Sequence, residues 1–366
     1  MTEAGSTTTT GRPAPSTLVD PGTLAGWLDE QGLGRGPVEV DWLGEGHSNL
    51  TFAVRRGEAA WVLRRPPRGP LLPTAHDVVR EFRVLSVLSA CGAPVRVPRV
   101  VAICEDTTVI GVPFFLMERV EGAVVRDRLP AFLAGSSCVR TRHALGLDLA
   151  DALAEIHCAP PEPFVAVGLG RPDGYLRRQL RRWAGQREGV RQAVAAQGAR
   201  ARDLPDYDAV RDWLSAHLPS PSGPPTLVHG DYKLDNVIVG PEGRIAARVR
   251  AVVDWEMATV GEPLADLGYL LSFWLAPGET LPLAELVTTA DGFPTRAELV
   301  ARWAASTRRE PRSLDWFITL AVWKLAILLE ASYHRWLAGE AEDPFFARLE
   351  AGVPALFRRA RDVCGA

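Results

Sequence analysis

One polar loop between two apolar runs constrains the fold of this chain more than any other segment. Residues 227–239 place His229, Asp231 and Asn236 between two strand-like runs. A turn rich in Gly and Pro then leads into a further strand that ends in Asp254. Because a loop held between short strands can direct several polar side chains to one point, we expect these residues to converge. Two carboxylates and an amide oxygen suit Mg²⁺, which proteins usually hold with one or two carboxylates plus substrate phosphates.

The spacing within this loop resembles a known catalytic pattern. An Asp followed five residues later by an Asn, with a second Asp on the next hairpin, resembles the catalytic loop of protein kinases. His-Gly-Asp at 229–231 replaces the His-Arg-Asp of those kinases, and Asp-Trp-Glu at 254–256 stands where they carry Asp-Phe-Gly. Both changes are similar to the aminoglycoside/choline phosphotransferase family, the small-molecule branch of the kinase-like fold. The alternative is that His229 and Asp231 only stabilise a tight turn, but Lys233 is also in register with the catalytic loop.

The resemblance implies an α+β, bilobal protein-kinase-like fold, with a small antiparallel-sheet N-lobe and a larger, mainly helical C-lobe. Residues 1–18 are rich in Ser, Thr, Gly and Pro without periodicity, which predicts a disordered tail. We then expect a nucleotide-covering N-lobe over 19–117. The C-lobe, with the catalytic loop, the metal site and the acceptor site, is expected over 118–366.

The resemblance also implies a role for each loop residue, with ATP as co-substrate and Mg²⁺ as cofactor. Asp231 would accept the proton of the attacking alcohol or orient its hydroxyl group. Asn236 and Asp254 would hold Mg²⁺ on the nucleotide phosphates. Lys233 would meet the γ-phosphate, and His229 would support the loop by hydrogen bonding.

A second loop, nearer the N-terminus, has the layout of a phosphate-covering loop. Two predicted strands enclose a run of small residues, as in the nucleotide-covering hairpin of kinases. Gly44 and Gly46 would let the backbone approach phosphates, and Ser48 or Asn49 could donate hydrogen bonds to them. Gly-rich hairpins are common, so a purely structural turn is the alternative.

The strand after this hairpin departs from the family pattern. In the family it carries a Lys that pairs with the α/β phosphates and with a Glu on the following helix. Here Arg64 stands at the equivalent position, and Glu81 lies on a helix predicted over 77–88. A guanidinium keeps the charge but is bulkier and forked, so the exchange is not conservative. We expect an Arg64–Glu81 ion pair; the alternative is two solvated charges.

A third segment, 113–122, resembles the hinge that binds adenine in this family. Met117 would line the adenine pocket, and backbone groups of Glu118 and Val120 would hydrogen-bond the base. Two further residues, Asp266 and His157, are expected to be structural. Asp266 would hold the backbone of the catalytic loop, and His157 would be packed or capping.

Composition narrows the remaining function classes. The 366 residues carry a net charge of −3, which gives no global signal for binding nucleic acid or an anionic membrane. No apolar run approaches the roughly 20 residues of a membrane span, and the N-terminus lacks the order of a signal peptide. The five cysteines are scattered without a Cys-x-x-Cys pair, as is typical of a reducing cytosol. We therefore expect a cytoplasmic protein with a small-molecule partner, and neither nucleic acid nor membrane.

Basic residues are distributed unevenly. Only Lys233 and Lys324 are lysines, and every other basic residue apart from histidine is an arginine. The segment 171–191 holds seven arginines against two acidic residues. If Arg178 and Arg182 face the acceptor, they favour an anionic one such as a CoA thioester. The alternative is a solvated helix face.

Within the family, the segments 61–67, 72–76, 104–106 and 174–179 look most like the kinase domains fused to some acyl-CoA dehydrogenases and their free-standing bacterial relatives. Those are associated with hydroxyacyl-CoA phosphorylation. The helix predicted over 314–337 is apolar and aromatic and could offer surface to an acyl chain. The expected function is ATP-dependent transfer of the γ-phosphoryl group to a hydroxyl of a small molecule. Two alternatives stay open: an aminoglycoside-type antibiotic phosphotransferase and a non-catalytic nucleotide-binding pseudokinase.

Overall fold

A computed structural model of the chain describes residues 13–44, 49–67, 77–198, 200–243, 246–340 and 343–365. These residues divide into two compact units. One consists of the described residues up to Ser86 together with Pro98–Val120, and the other of Val87–Val97 and the described residues from Glu121 onward. The first contains an antiparallel sheet and the second is mainly helical, which confirms the expected α+β class.

The first unit is built on a five-stranded antiparallel sheet with the order β1-β2-β3-β5-β4. Its strands are β1 (Glu39–Trp42), β2 (Leu50–Arg56), β3 (Ala59–Arg65), β4 (Val100–Cys104) and β5 (Phe114–Glu118). Its helices are α1 (Pro15–Leu18) and α2 (Pro21–Glu30), and α3 (Val78–Ala90) continues across the boundary into the second unit.

Helix α2 begins with two features that stabilise a helix start. The Asp20 carboxylate accepts a hydrogen bond of 2.8 Å from the Thr23 backbone N–H, and Pro21 occupies the first helical position. Both features stabilise a helix N-terminus. The buried face of α2 includes Trp27, whose ring meets Phe114 of β5 edge-on at 4.9 Å between centroids. The helix therefore covers the sheet with a large aromatic contact.

The N-terminal segment differs in part from the expected tail. Residues 1–12 lie outside the described residues. The remainder forms the helical turn α1, and Leu18 and Val19 are buried in the core of the unit. The indole of Trp42 donates to the Pro13 carbonyl at 3.1 Å. Residues 15–18 therefore belong to the folded unit rather than to a disordered tail, because their apolar side chains find a partner surface that local composition does not reveal.

The second unit contains helices and short strands. Its helices are α4 (Val139–Cys158), α5 (Glu162–Ala166), α6 (Tyr175–Ala196), α7 (Pro205–Ala216), α8 (Leu264–Ser272), α9 (Arg296–Thr307), α10 (Leu314–Leu337) and α11 (Leu349–Cys364). Its strands are β6 (Ala123–Val124), β7 (Thr226–Val228), β8 (Val237–Glu242), β9 (Ala246–Val252) and β10 (Thr259–Gly261). Single 3-10 turns lie at Ser136–Cys138, Leu234–Asn236, Trp255–Met257, Val287–Thr289 and Pro344–Arg348.

The helix predicted over 314–337 is present with those bounds as α10. It packs against α8 and α11. Apolar residues on most sides of a helix indicate burial in a core, and the large side chains Trp316, Phe317 and Trp323 are almost wholly enclosed. Within the described ranges, no helix has the length and apolar character needed to cross a membrane.

Two small antiparallel pairings position the polar loop. Strand β7 pairs with β10, and β8 pairs with both β6 and β9. The loop therefore leaves β7 and enters β8, while Asp254 follows the end of β9. The register that pairs Val237 with Val252 brings the end of the loop next to Asp254.

Candidate active site

The polar loop turns sharply at Gly230. Its φ angle is +87°, in the left-handed region that side chains disfavour. A Cβ atom at this position would lie 2.8 Å from the Met257 carbonyl oxygen. Both restrictions explain why a glycine stands between His229 and Asp231. The backbone passes close to the neighbouring chain, and Asp231 follows this turn directly.

Asp231 is held by donors from its own loop. Its Oδ2 accepts a hydrogen bond of 2.7 Å from Asn236 Nδ2 and lies 3.1 Å from Lys233 Nζ. Asn236 Nδ2 also donates to the Asp231 backbone carbonyl at 2.8 Å. These contacts fix the carboxylate while 22% of its side chain stays exposed. Asp231 is therefore both oriented and accessible.

The charge state of this carboxylate follows from its surroundings. Burial acts to raise the pKa of Asp231, but Lys233, Lys324 and a hydrogen bond from the Tyr269 hydroxyl outweigh it, so the pKa lies below its ordinary value. Burial acts to lower the pKa of Lys233, and the carboxylates of Asp231 and Asp235 more than compensate, so its pKa is raised. At neutral pH the site therefore contains a carboxylate and an ammonium group.

Asp254 has an unusual backbone conformation. Its φ and ψ angles are 69° and 59°, a left-handed conformation that is uncommon for residues other than glycine. Val253, which precedes Asp254, donates its N–H to the Asn236 carbonyl at 2.9 Å. This bond connects the backbone before Asp254 to the end of the polar loop. Strain of this kind often marks functional sites. The Asp254 side chain is half-buried, and its charge acts to raise the pKa of Lys233 on the loop.

Asn236 and Asp254 fit a magnesium ion chemically. The Asn236 amide nitrogen is used by Asp231, so its amide oxygen is the group left for a ligand. Among the described residues, no group of three or more His, Cys, Asp or Glu is arranged to hold a metal without help. Nucleotide-bound Mg²⁺ does not need such a cluster, because it takes one or two carboxylates and completes its shell with phosphates and water.

His229 lies inside the protein and bonds to backbone with both ring nitrogens. Nε2 donates to the Val253 carbonyl at 3.0 Å, and Nδ1 accepts from the Asp231 N–H at 3.2 Å. Burial lowers the pKa of His229, so the ring is neutral at pH 7. The ring links the two segments that carry Asp231 and Asp254. This geometry supports the expected structural role, and the ring has no nitrogen left for substrate.

Asp266 fixes the backbone of the same loop. Its two carboxylate oxygens accept from the backbone N–H groups of His229 at 2.6 Å and Gly230 at 2.8 Å. His157 lies behind it, with Nε2 3.3 Å from Asp266 and Nδ1 accepting from the Trp303 indole at 2.9 Å. The indole can only donate, so His157 must be the neutral tautomer that donates to Asp266. The expected roles of Asp266 and His157 are both present.

Two residues that the sequence did not single out for the site also surround Asp231. The Tyr269 hydroxyl of α8 acts to lower the pKa of Asp231. Lys324 of α10, which is 8% exposed, donates to the Gly230 carbonyl. Its ammonium also lies 4.7 Å from the ring centroid of Tyr269. The count of only two lysines was the one sequence signal for Lys324, and both lysines lie at this loop.

In the first unit, Arg64 and Glu81 form the expected ion pair. Arg64 Nε lies 2.7 Å from Glu81 Oε2, and the two side chains are 9% and 2% exposed. The phosphate-covering loop is described only in part. Gly44, with φ 102°, and the buried Asn49 are described, whereas Gly46 and Ser48 lie outside the described residues.

The hinge segment has the expected strand. Met117 is buried on β5, where it pairs with Val62 and Val100, and Glu118 and Val120 follow it along the chain. The Glu118 N–H donates to the Arg99 carbonyl at 2.8 Å. The Glu118 backbone N–H is therefore already used within the first unit.

Arg178 and Arg182 both lie on α6, near its first turns. Arg178 is half-buried and donates to the Arg171 carbonyl, whereas Arg182 is exposed. Burial raises the pKa of the Tyr175 hydroxyl, and Arg182 and Arg178 oppose that rise. Arg182 also acts to lower the pKa of Lys324. The two arginines therefore contribute positive potential to the side of the site on which Lys324 lies.

Comparison with known proteins agrees with this arrangement. Residues 41–300 match the family model described as "Phosphotransferase enzyme family". The human protein "Acyl-CoA dehydrogenase family member 11" is 33% identical over 306 residues, covering 82% of this chain and 37% of the human protein. The mouse protein "Acyl-CoA dehydrogenase family member 10" is 33% identical over 311 residues, covering 84% of this chain and 27% of that protein. The chain thus spans well under half the length of these relatives.

Solved structures show the same fold. A candidate aminoglycoside phosphotransferase from Ralstonia eutropha superposes with a TM-score of 0.72 at 28% identity, covering 94% of this chain and 98% of that one. The GDP complex of aminoglycoside 2'-phosphotransferase-IIIa superposes with a TM-score of 0.60 at 18% identity, covering 94% and 99% of the two chains. The fold is therefore the protein-kinase-like fold that the polar loop indicated. Because the family model matches most of this chain, the chain belongs to the phosphotransferase enzyme family.

Proposed function

We propose that this protein is an ATP-dependent phosphotransferase that moves the γ-phosphoryl group to a hydroxyl of a small molecule. The observation that carries the proposal is the Asp231 carboxylate, which is ionised and partly exposed. Asn236 and Lys233 hold it in place. Two donors orient this carboxylate and the buried Lys324 ammonium adds a further positive charge near it, which is more than a tight turn requires. Phosphoryl transfer depends mainly on alignment and charge neutralisation, and this arrangement can supply both.

Asp231 would act on the acceptor hydroxyl. Its carboxylate oxygen accepts the hydroxyl proton as the acceptor oxygen forms a bond to the γ-phosphorus. The bond from that phosphorus to the bridging β,γ-oxygen breaks, and ADP leaves. Because the transition state of such transfers is loose, the hydroxyl proton is lost late and a weak base is sufficient. The lowered pKa of Asp231 is compatible with this role.

The other residues of the loop would handle charge on the nucleotide. Lys233 carries an ammonium with three donors, and we propose that it meets the transferring phosphoryl group from its place beside Asp231. Asn236 and Asp254 would hold Mg²⁺. The ion, when bound, would neutralise charge on the β- and γ-phosphates. His229 would keep Asp231 in position through its bonds to backbone on both sides.

Residues of the first unit would bind the nucleotide. Arg64, held by Glu81, takes the place of the usual lysine at the α/β phosphates. Gly44, Gly46, Ser48 and Asn49 would cover the phosphates, and Met117, Glu118 and Val120 would contact adenine. These roles rest on the match of their positions to the family pattern. The buried Arg64–Glu81 pair supports the first of them most directly.

For the acceptor we propose a hydroxyacyl-CoA. Over most of its length the chain is similar to part of two proteins named as acyl-CoA dehydrogenases. Arg178 and Arg182 add positive charge near the site, which favours the phosphates of CoA. The names of the structural neighbours favour an aminoglycoside as the second candidate. A polycation would be repelled by the same arginines, which is why we place it second.

A direct test is nucleotide consumption against a panel of acceptors. Purified protein with ATP and Mg²⁺ is supplied with hydroxyacyl-CoAs, aminoglycosides or small amino alcohols, and ADP release is followed. We expect release that depends on a hydroxyacyl-CoA and a phosphorylated product in its mass spectrum. Thermal stabilisation by ATP without turnover of any acceptor would instead support a nucleotide-binding pseudokinase.

A further inference from the structure

The two lysines of the chain have different environments within one site. Lys233 lies on the polar loop and forms an ion pair with Asp231. Lys324 comes from the middle of the apolar helix α10 and points at the same loop from another side, donating to the Gly230 carbonyl. Burying an ammonium group in a core costs free energy unless the group is paired and hydrogen-bonded, so such a residue is often functional. The proposed mechanism gives a purpose to Lys233 and none to Lys324.

Lys324 lines a small cavity beside the catalytic loop. The cavity has a volume of about 20 Å³, enough for about one water-sized group. Its walls come from α6, α8, α10 and the polar loop, and its lining includes Tyr175, Gln179, Trp183, Gly230, Tyr269 and Lys324. Because Gly230 precedes Asp231, a group in this cavity lies next to the proposed catalytic carboxylate. The volume admits a single polar group and excludes a sugar ring.

The cavity contains several hydrogen-bond donors, and the Asp266 carboxylate in its lining already accepts from the backbone N–H groups of His229 and Gly230. Lys324 offers an ammonium and no acceptor. The Trp183 indole donates to Gln179 Oε1 at 3.0 Å, so the amide nitrogen is the group that Gln179 has left. The aromatic rings of Tyr269 and Trp183, at 4.7 Å and 5.4 Å, stabilise the positive charge of Lys324. Such a cavity offers hydrogen bonds to an acceptor atom, for example a carbonyl oxygen.

We propose that Lys324 is an acceptor-recognition residue, whose ammonium donates to a carbonyl oxygen of the phosphoryl acceptor. This inference rests on the proposed phosphotransfer and gives it a substrate class. The acceptor carries a carbonyl, such as that of a thioester, on the same acyl chain as the hydroxyl that meets Asp231. Asp266 and Asp231 compensate the ammonium charge, so the residue can stay charged in its buried position.

The lysine content of this chain permits a test that needs no turnover. Reductive methylation at pH 8 labels amines, and only Lys233, Lys324 and the N-terminus carry one. Peptide mass spectrometry then reads each lysine separately. We expect 3-hydroxybutyryl-CoA to slow the labelling of Lys324 with a weaker effect on Lys233, and ATP with Mg²⁺ to show the reverse. The free hydroxy acid tests whether CoA is needed, and kanamycin should protect neither residue.

The matching kinetic test uses Lys324→Met, with Leu325→Met as the control, because the neighbouring residue leaves the helix about 100° away. Loss of a hydrogen bond to a charged donor should raise the acceptor KM about 10- to 100-fold, whereas the ATP KM changes little. Lys324→Arg should recover part of the loss.

The outcomes separate this inference from the proposed function. If wild-type protein phosphorylates no acceptor but 3-hydroxybutyryl-CoA still protects Lys324, the recognition role stands and the proposed function fails. If the acceptor is turned over without protecting Lys324, the recognition role is wrong. A Lys324→Met variant that loses kcat with an unchanged acceptor KM would make Lys324 a support for Gly230 only, which also overturns the inference.

Discussion

Arg64 Nε lies 2.7 Å from Glu81 Oε2, in an ion pair whose members are 9% and 2% exposed. The pair occupies the positions where kinase-like enzymes carry Lys and Glu, with arginine in place of lysine. Guanidinium is always charged and can bond to a carboxylate and a phosphate with different N–H groups. The exchange therefore keeps a cation at the position where we propose that the nucleotide binds, and it is compatible with an active enzyme.

The first prediction concerns the stability contributed by this pair. Glu81→Ala leaves the Arg64 guanidinium buried without its compensating carboxylate, and we expect the free energy of unfolding to fall by about 3–5 kcal/mol. Glu39→Ala is the matched control, since Glu39 pairs with Arg55 on the exposed side of the same sheet. That change should cost less than about 1 kcal/mol. Urea unfolding measures both, and equal losses would contradict the special role of the buried pair.

The second prediction concerns the metal. Asp254→Ala removes the carboxylate proposed to hold Mg²⁺, so nucleotide binding should lose its dependence on magnesium. Titration calorimetry with ATP, with and without Mg²⁺, compares the variant with wild-type protein. If magnesium still enhances binding in the variant as strongly as in wild type, the metal lies elsewhere.

The third prediction concerns the arginines of α6. Replacing Arg178 and Arg182 with Glu should raise the acceptor KM strongly at low salt and less at high salt, with little change in ATP affinity. Arg177 and Arg181 supply the control, because both are exposed and occupy neighbouring positions on the same helix. Their replacement by Glu makes the same charge change, but the side chains leave the helix at a different angle. Equal effects of the two double variants would show a general field rather than contact with the acceptor.

The fourth prediction concerns pH. Burial lowers the pKa of Lys324 to about 8, with Asp231 and Asp266 opposing the shift and Arg182 and Lys233 adding to it. Below that pH the ammonium is present, and above it the neutral amine predominates. The acceptor KM should therefore be flat below pH 8 and rise by up to about tenfold per pH unit above it. In Lys324→Arg the rise should vanish, because guanidinium stays charged. A rise that persists in this variant would assign the titration to another group.

Local pattern predicted much of the fold and part of the site. The bounds of α10 followed from periodicity, because they depend on neighbours in sequence. The convergence of Asp231 with Asn236 followed from spacing within one loop. The segment before residue 19 was judged wrongly in part, since Leu18 is buried by distant strands that composition cannot show.

Tertiary packing supplied what the sequence could not. Lys324 bonds to the Gly230 carbonyl and lies over the Tyr269 ring, and both residues belong to helices far along the chain, so no spacing rule connects them to the polar loop. The contacts of Glu262 are likewise visible only in three dimensions. Its carboxylate accepts from the Ser222 N–H at 2.9 Å and from the Leu264 N–H at 3.3 Å at the start of α8. This side chain joins two segments that local sequence treats as unrelated.

The fifth prediction tests the central claim, that Asp231 is the residue on which phosphoryl transfer depends. Asp231→Asn keeps the size of the side chain and removes the base, so ATP binding and the thermal unfolding curve should stay close to wild type. The measurement is transfer of the γ-phosphoryl group from labelled ATP to a hydroxyacyl-CoA. We expect turnover to fall by at least about 100-fold, in line with the loss of a positioned acid–base group. Activity within a few-fold of wild type would contradict the mechanism.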